Sequence, residues 1–239
     1  MRSPLKAILL NAASRPYWQT GWSNYYWARG KLRFDPYFSA LLSERILPDH
    51  SRVLDLGCGR GLLAAWLLAA ETLAEDEIWT GAVRPPHGLH FRGVDLMARD
   101  ADCGNRALQP LFGARVGFRH GDLRDEPIAD VDVVTMLDVL HYIPYGDQEY
   151  LLDRIRSALS RDGLLVTRIG NSAGGVRFAI GEIVDRVAAF SQGHRRPPVW
   201  CRPVERWVET LRSRDFQVEA RFMSGGTPFA NVMLIARAT

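Results

Sequence analysis

Lysine is almost missing from this 239-residue chain: of its 30 basic residues only Lys6 and Lys31 are lysines, and the other 28 are arginines. Coding-sequence base composition explains such a bias as readily as any ligand does. The net charge of +3 is too small for a duplex-binding stripe, which needs clustered cations to neutralise several phosphates. Cysteine is scarce as well. Cys58, Cys103 and Cys201 are odd in number and widely spaced, which argues against a disulfide framework and for a reducing compartment. Long apolar runs are lacking, since the longest, Leu62 to Ala70, is about half the ~20 residues a membrane span requires. The opening Met1-Arg2-Ser3-Pro4-Leu5-Lys6-Ala7-Ile8-Leu9-Leu10 starts basic, but its apolar stretch is too short for a secretory signal. A cytoplasmic protein without a membrane span is expected.

What is present is an ordinary globular composition, with 47% hydrophobic and 24% charged residues. At roughly 150 residues per domain, the length allows one large domain or one with a small appendage. Residues 1–50 read as helical and aromatic. Asp35-Pro36 is a helix start, an N-cap carboxylate before proline, with Tyr37, Phe38, Leu41, Leu42 and Ile46 on one apolar face. From residue 52 short apolar runs alternate with helical stretches. Val53–Leu56, Phe91–Val94, Val116–Arg119, Val131–Leu137 and Leu164–Thr167 read as strands, and Leu62–Thr72, Asn105–Phe112 and Glu149–Leu159 as helices. This alternation predicts a parallel sheet covered by helices on both faces. Towards the end come a helix at 176–190, the polar stretch 191–198, and a second helix from Pro203 to Ser213. Two strands, Phe216–Phe222 and Asn231–Ala236, follow; joined through 224–228 without a crossover helix, they should pair antiparallel.

The most specific local feature is Val53-Leu54-Asp55-Leu56-Gly57-Cys58-Gly59-Arg60-Gly61, an apolar strand running into alternate glycines ahead of a helix. Glycine is needed where the backbone takes positive φ or approaches a ligand closely. At the carboxyl end of the first strand of an open α/β sheet that place is the nucleotide crevice. The spacing G-x-G-x-G departs from the dinucleotide pattern G-x-G-x-x-G, and no G-x-x-x-x-G-K-[ST] element for nucleoside triphosphates exists.

Asp55-Leu56-Gly57-Cys58-Gly59-Arg60-Gly61 resembles the first motif of the class I S-adenosylmethionine-dependent methyltransferases. Three further elements follow in the order of that family: Gly93-Val94-Asp95-Leu96, His120-Gly121-Asp122-Leu123, and Asp132 through Asp138-Val139-Leu140-His141-Tyr142. The resemblance implies a Rossmann-like seven-stranded α/β sheet, parallel with one reversed strand, over 51–239, preceded by a helical lid over 1–50. It implies S-adenosylmethionine as cofactor, S-adenosylhomocysteine as product, and no metal. Asp55, Gly57, Gly59 and Gly61 would form the donor turn. Asp95 with Leu96 would hold the ribose, Asp122 with Leu123 would frame the adenine, and Asp138 would lie near the amino or sulfonium end. The 40 positions between Asp55 and Asp95 exceed the usual ~20, so Glu71–His90 is expected as a surface insertion. His87 and His90 within it lack carboxylate or cysteine partners for a metal. Cys58 reads as a small filler.

Two sets of residues remain for the acceptor side. His141 lies just past the fourth strand, and its ordinary pKa of ~6.5 suits a general base; local packing is the other reading. Tyr142 beside it reads as a wall. Tyr17 to Trp27 holds six aromatics, with Trp18, Trp22 and Tyr25 at helical spacing. This face either packs on the core or, with Tyr26, covers an acceptor pocket, leaving Arg29 or Lys31 for the donor's carboxylate. Arg195, Arg196, Arg202 and Arg206 read as a solvated face, or as a dock for an acidic partner.

Nucleic-acid acceptors are disfavoured, because there is no Asn-Pro-Pro-Tyr or Asp-Pro-Pro-Tyr element, Pro-Cys pair or basic recognition domain. Residues 28–36 and 226–232 resemble the methyltransferases of bacterial aryl polyene and related fatty-acid-type biosynthesis. That implies a phenolic small-molecule acceptor, free or tethered to an acidic acyl carrier protein. A nicotinamide oxidoreductase or a catalytically silent nucleotide-binding protein are the alternatives; the first lacks the expected glycine spacing, the second would not need all four motifs.

Overall fold

In the computed structural model, which describes residues 3–170, 200–223 and 231–239, the chain divides into two compact units, 1–127 and 128–239. The first opens with helices α1 (Ser3–Ser14), α2 (Trp22–Phe34) and α3 (Pro36–Ser43), with a 3-10 turn at Arg15–Thr20 between α1 and α2. Pro16 near the start of that turn and Gly21 at φ 120° after it break the helical path. Trp18 therefore precedes α2, so Trp18, Trp22 and Tyr25 do not share one continuous helix. Asp35 caps α3 as its sequence requires, accepting the Tyr37 N–H at 3.1 Å.

Strands β1 (Arg52–Leu56), β2 (His90–Asp95) and β3 (Val116–His120) alternate with helices α4 (Leu62–Glu75) and α5 (Ala98–Phe112). The strands are parallel, pairing Asp55 with Gly93 and Asp95 with His120. Helix α4 is apolar on nearly every side, as a helix enclosed by others must be. It packs against α1, α2 and α3, and the indole of fully buried Trp66 donates to the Phe38 carbonyl at 2.7 Å.

Two of the boundaries that differ from expectation bear on packing. Helix α4 continues through Glu75, so Glu71 belongs to it and not to a surface insertion; its carboxylate is buried, accepts the Gly88 N–H at 2.7 Å and pairs with Arg115. The loop that follows is pinned through Gly88 and through His87, whose N–H reaches Asp49 at 3.1 Å. Helix α5 starts at Ala98, well before Asn105. Its buried side is Ala101, Cys103, Gly104, Ala107 and Leu108, small residues that leave little periodic apolar signal.

The second unit contains β4 (Val133–Leu137), α6 (Tyr145–Ala158), β5 (Leu164–Gly170), α7 (Val204–Arg212), β6 (Phe216–Phe222) and β7 (Asn231–Ala238). Here β4 and β5 are parallel, while β7 runs antiparallel to both β5 and β6. The strand order is β3-β2-β1-β4-β5-β7-β6, a seven-stranded α/β sheet with a single reversed strand. The expected helix at 176–190, the polar stretch 191–198 and the link 224–228 lie outside the described residues.

Candidate active site

The three glycines after β1 all take positive φ: 81° at Gly57, 52° at Gly59 and 74° at Gly61. They nevertheless do different things. A Cβ on Gly61 would stand 2.5 Å from the Phe118 ring, and Cβ atoms on Gly93 and Gly104 would each stand 2.9 Å from the same ring. Phe118 thus presses β3 against β2, α5 and the turn, and Gly61 serves packing. A Cβ on Gly59 meets nothing within 4 Å. The backbone there faces open space, as a ligand-binding turn requires.

Asp95, at the end of β2, closes the turn. Its Oδ2 accepts the Gly59 N–H at 2.8 Å and its Oδ1 accepts the Met97 N–H at 2.8 Å. Gly57 and Cys58 both donate to the Val94 carbonyl, at 2.8 and 3.1 Å, so the turn is tied to β2 twice. Burial pushes the Asp95 carboxyl above its ordinary value, against the pull of the Met97 and Gly59 N–H groups. A carboxylate offers about four acceptor positions, which leaves capacity for a vicinal diol such as a ribose. The donor set therefore fits a nucleoside. Asp55 is buried in β1, and burial pushes the Cys58 thiol far up, which makes it a neutral filler.

Asp122 follows β3 in an Asx turn, accepting the Arg124 N–H at 2.9 Å and the Arg124 guanidinium. Those Arg124 hydrogen bonds, outweighing burial, hold its carboxyl below the usual range. Leu123 is half-buried, while Leu96 is exposed.

The N-terminal helices reach the glycine turn through Arg60, a residue for which the sequence offered no signal beyond its place between two glycines. Its Nε donates to Asp100 at 3.0 Å and its Nη1 to Asn24 at 2.9 Å, while its guanidinium lies 4.3 Å from the Trp27 ring centre. Buried Tyr17 adds a hydrogen bond to the Arg60 carbonyl at 2.7 Å. The aromatic segment does not turn inward as a core face would: Trp18, Trp22 and Tyr26 are 57%, 70% and 59% exposed. Tyr25 is half-buried, edge-on to Trp18 at 5.1 Å. Arg29 is half-buried with its Nη1 3.4 Å from the Ser14 hydroxyl.

In the second unit Asp138 follows β4 at φ 56° and forms a two-pronged ion pair with Arg168 of β5, its Oδ1 accepting Nε at 2.8 Å. The Arg168 side chain is only 4% exposed, against 34% for Asp138. The sequence reading missed Arg168, which sits in an otherwise apolar strand; that cation inside Leu164–Gly170 was the available signal. His141 and Tyr142 lie on a 3-10 turn, their ring centres 4.1 Å apart, with the His141 carbonyl accepting the Trp200 N–H at 2.8 Å. Arg202 is a correction. It is buried, ion-paired with Glu149 and stacked over Tyr145 and Trp207, so it is no solvated patch, whereas Arg206 is exposed beside Glu209. Arg195 and Arg196 lie outside the described residues. Among the described residues no group of three or more His, Cys, Asp or Glu side chains gathers for a metal.

Residues 54–165, a little under half of the chain, match a family model described as a methyltransferase domain. Among curated proteins, the chain is 28% identical over 127 residues to a carboxy-S-adenosyl-L-methionine synthase of Aliivibrio fischeri strain MJ11, covering 53% of this chain and 47% of that one. The chain thus spans about half the length of the curated relatives it matches. Among solved structures, the fold resembles magnesium protoporphyrin IX methyltransferase of Synechocystis PCC 6803 with bound S-adenosylhomocysteine. The TM-score is 0.60 at 16% identity, covering 96% of each chain. It also resembles the pyocyanin biosynthetic protein PhzM, with TM-score 0.61 and 19% identity over 91% of this chain and 58% of the other. The glycine turn and Asp95 leave open space and acceptor capacity that fit the nucleoside part of S-adenosylmethionine.

Proposed function

We propose that this protein transfers a methyl group from S-adenosylmethionine to a small-molecule acceptor, a phenolic or other aromatic intermediate that is free or tethered to an acyl carrier protein, as in aryl polyene-type biosynthesis. The observation that carries the reading is the Gly59–Asp95 turn, open in front of Gly59 and retaining acceptor capacity for a diol. When bound, S-adenosylmethionine supplies the methyl on a sulfonium. The protein's part is alignment and exclusion of water, because the displacement disperses charge and needs few chemical groups.

In this reading Asp95, beside Leu96, accepts from the ribose hydroxyls, Asp122 and Leu123 frame the adenine, and Arg29 pairs with the donor's carboxylate. Asp138 takes the amino end. His141 accepts the acceptor's hydroxyl proton, with Tyr142 as a wall, and Trp18, Trp22, Tyr25 and Tyr26 shelter the acceptor. Cytoplasmic conditions suit the three free cysteines. A second reading, favoured by the relatives' printed name, is that the donor or product carries an extra carboxylate.

Calorimetric titration with S-adenosylmethionine and NADH, in the wild type and Asp95→Ala, tests the cofactor. Binding of the first alone, lost in the variant, supports the reading; binding of NADH alone overturns it. Mass spectrometry of phenolic acids incubated with the protein and methyl-labelled S-adenosylmethionine then separates methyl transfer from production of a carboxylated donor.

A further inference from the structure

The outward side of α2 carries a set of exposed rings. At about 100° per residue, fully buried Ala28 and Leu32 mark its inward side. Trp22, Tyr26, Arg33, Phe34 and Trp27 spread over the opposite side. Trp22 is 70%, Tyr26 59%, Trp27 42% and Phe34 73% exposed. Single exposed apolar residues are ordinary, but a contiguous set of large rings on one helix marks an interaction surface. Packing on the chain itself already uses the other side.

The charge on this helix has one sign. Between Trp22 and Phe34 there are three cations, Arg29, Lys31 and Arg33, and no acid. Lys31 is shared with Asp35 at 3.4 Å, whereas Arg33 is exposed and leans over the Phe34 ring at 5.4 Å. Just before the helix, exposed Arg15 and Trp18 extend the same mixture of cation and indole. Tryptophan and tyrosine rings settle at the headgroup level of a bilayer, and nearby arginines pair with lipid phosphates.

We propose that this side of α2 lays the protein onto the surface of an anionic lipid bilayer, with the helix in the plane of the interface, its rings among the headgroups and its guanidinium groups on the phosphates. Charge complementarity selects this occupant: exposed Arg15 and Arg33 flank the rings and α2 carries no acid, which matches a uniformly anionic surface. No described helix is long and apolar enough to cross a membrane, so the contact is peripheral. The surface shares Trp18, Trp22 and Tyr26 with the proposed acceptor shelter, so the variants that test it are placed at Arg33 and Phe34, which have no part in that site.

The test is cosedimentation of the full chain with vesicles of phosphatidylcholine alone and of phosphatidylcholine with phosphatidylglycerol, at low and high salt. The protein is expected to pellet with the anionic vesicles only, to be released by salt, and to shift its tryptophan emission to the blue when bound. Arg33→Glu reverses one charge near the surface and should weaken partitioning about thirtyfold, and Phe34→Ser about tenfold, both with unchanged far-ultraviolet circular dichroism and thermal midpoint. Failure of the wild type to pellet with anionic vesicles at low salt overturns the proposal. So does equal partitioning of the wild type and both variants, or binding to an acidic acyl carrier protein without any binding to vesicles.

Discussion

The carboxylate of Asp95 accepts the backbone N–H of Gly59 at 2.8 Å, across 36 positions of sequence. One carboxylate thus sets the shape of the glycine turn and, in the proposed reading, is also the acceptor for a ribose. Asp95→Asn keeps an acceptor but loses the charge, so S-adenosylmethionine should bind about tenfold more weakly, and Asp95→Ala about a hundredfold, at ~1.5–3 kcal/mol per charged hydrogen bond. Isothermal calorimetry reads both.

The same residue makes a pH prediction in which affinity and stability move in opposite directions. Burial raises the Asp95 carboxyl above the ordinary ~3.9. As pH falls through that raised value the ribose acceptor is protonated and affinity drops, earlier than for an unperturbed carboxylate. The folded chain holds this proton more tightly than the unfolded chain, so the Asp95 contribution to stability rises over the same descent. Titrations of wild type minus Asp95→Asn isolate the effect; an affinity difference that is flat with pH contradicts it.

Gly59 and Gly61 should fail in different ways. Gly61→Ala drives a methyl into Phe118 at positive φ, costing about 2–4 kcal/mol of stability, with partial recovery in Phe118→Leu. Gly59→Ala adds its methyl to open space. It should lower the thermal midpoint only modestly while weakening S-adenosylmethionine tenfold or more. Scanning calorimetry and ligand titration on the pair separate packing from binding.

Breaking the Asp138–Arg168 pair should be expensive on one side. Asp138→Asn tolerates the positive φ but leaves the buried Arg168 charge without its carboxylate. The expected loss is about 2–3 kcal/mol, below that of a fully buried pair because Asp138 is partly wet. Arg168→Met in the same chain should restore part of it. Urea unfolding of the single and double variants gives the coupling directly.

Arg60 joins α2 and α5 to the glycine turn through Asn24, Trp27 and Asp100. Arg60→Lys keeps the charge but not the planar fork that reaches all three. Hydrogen exchange should accelerate across residues 22–34 in Arg60→Lys and further in Arg60→Ala, while the amides of β1 to β3 stay protected. Equal acceleration everywhere would mean that Arg60 supports the whole unit.

The strand ends that carry the candidate site were legible because the proposed residues lie next to them in sequence. Asp95 ends β2 and Asp122 follows β3 by two residues, and the Asp35-Pro36 cap was correct to the residue. Arg60, Arg168 and Glu71 were not legible as partners, since each meets its counterpart through a fold that brings distant positions together. Helix α5 was shortened in the reading because Ala101, Gly104 and Ala107 bury little apolar bulk. The Tyr17–Trp27 aromatics showed helical spacing, yet Pro16 and Gly21 broke the helix, and nothing in the spacing told an outward face from an inward one.

By itself the sequence determined the alternation of strands and helices, the glycine turn and the acids that follow successive strands, because periodicity, positive-φ glycines and capping are local chemistry. The tertiary structure alone decided that Gly61 packs against Phe118 while Gly59 stays open, that Arg168 belongs to Asp138, and that the rings of α2 face solvent. Each of those depends on which surfaces meet after the chain has folded, and close packing gives neighbouring residues of the same type different surroundings.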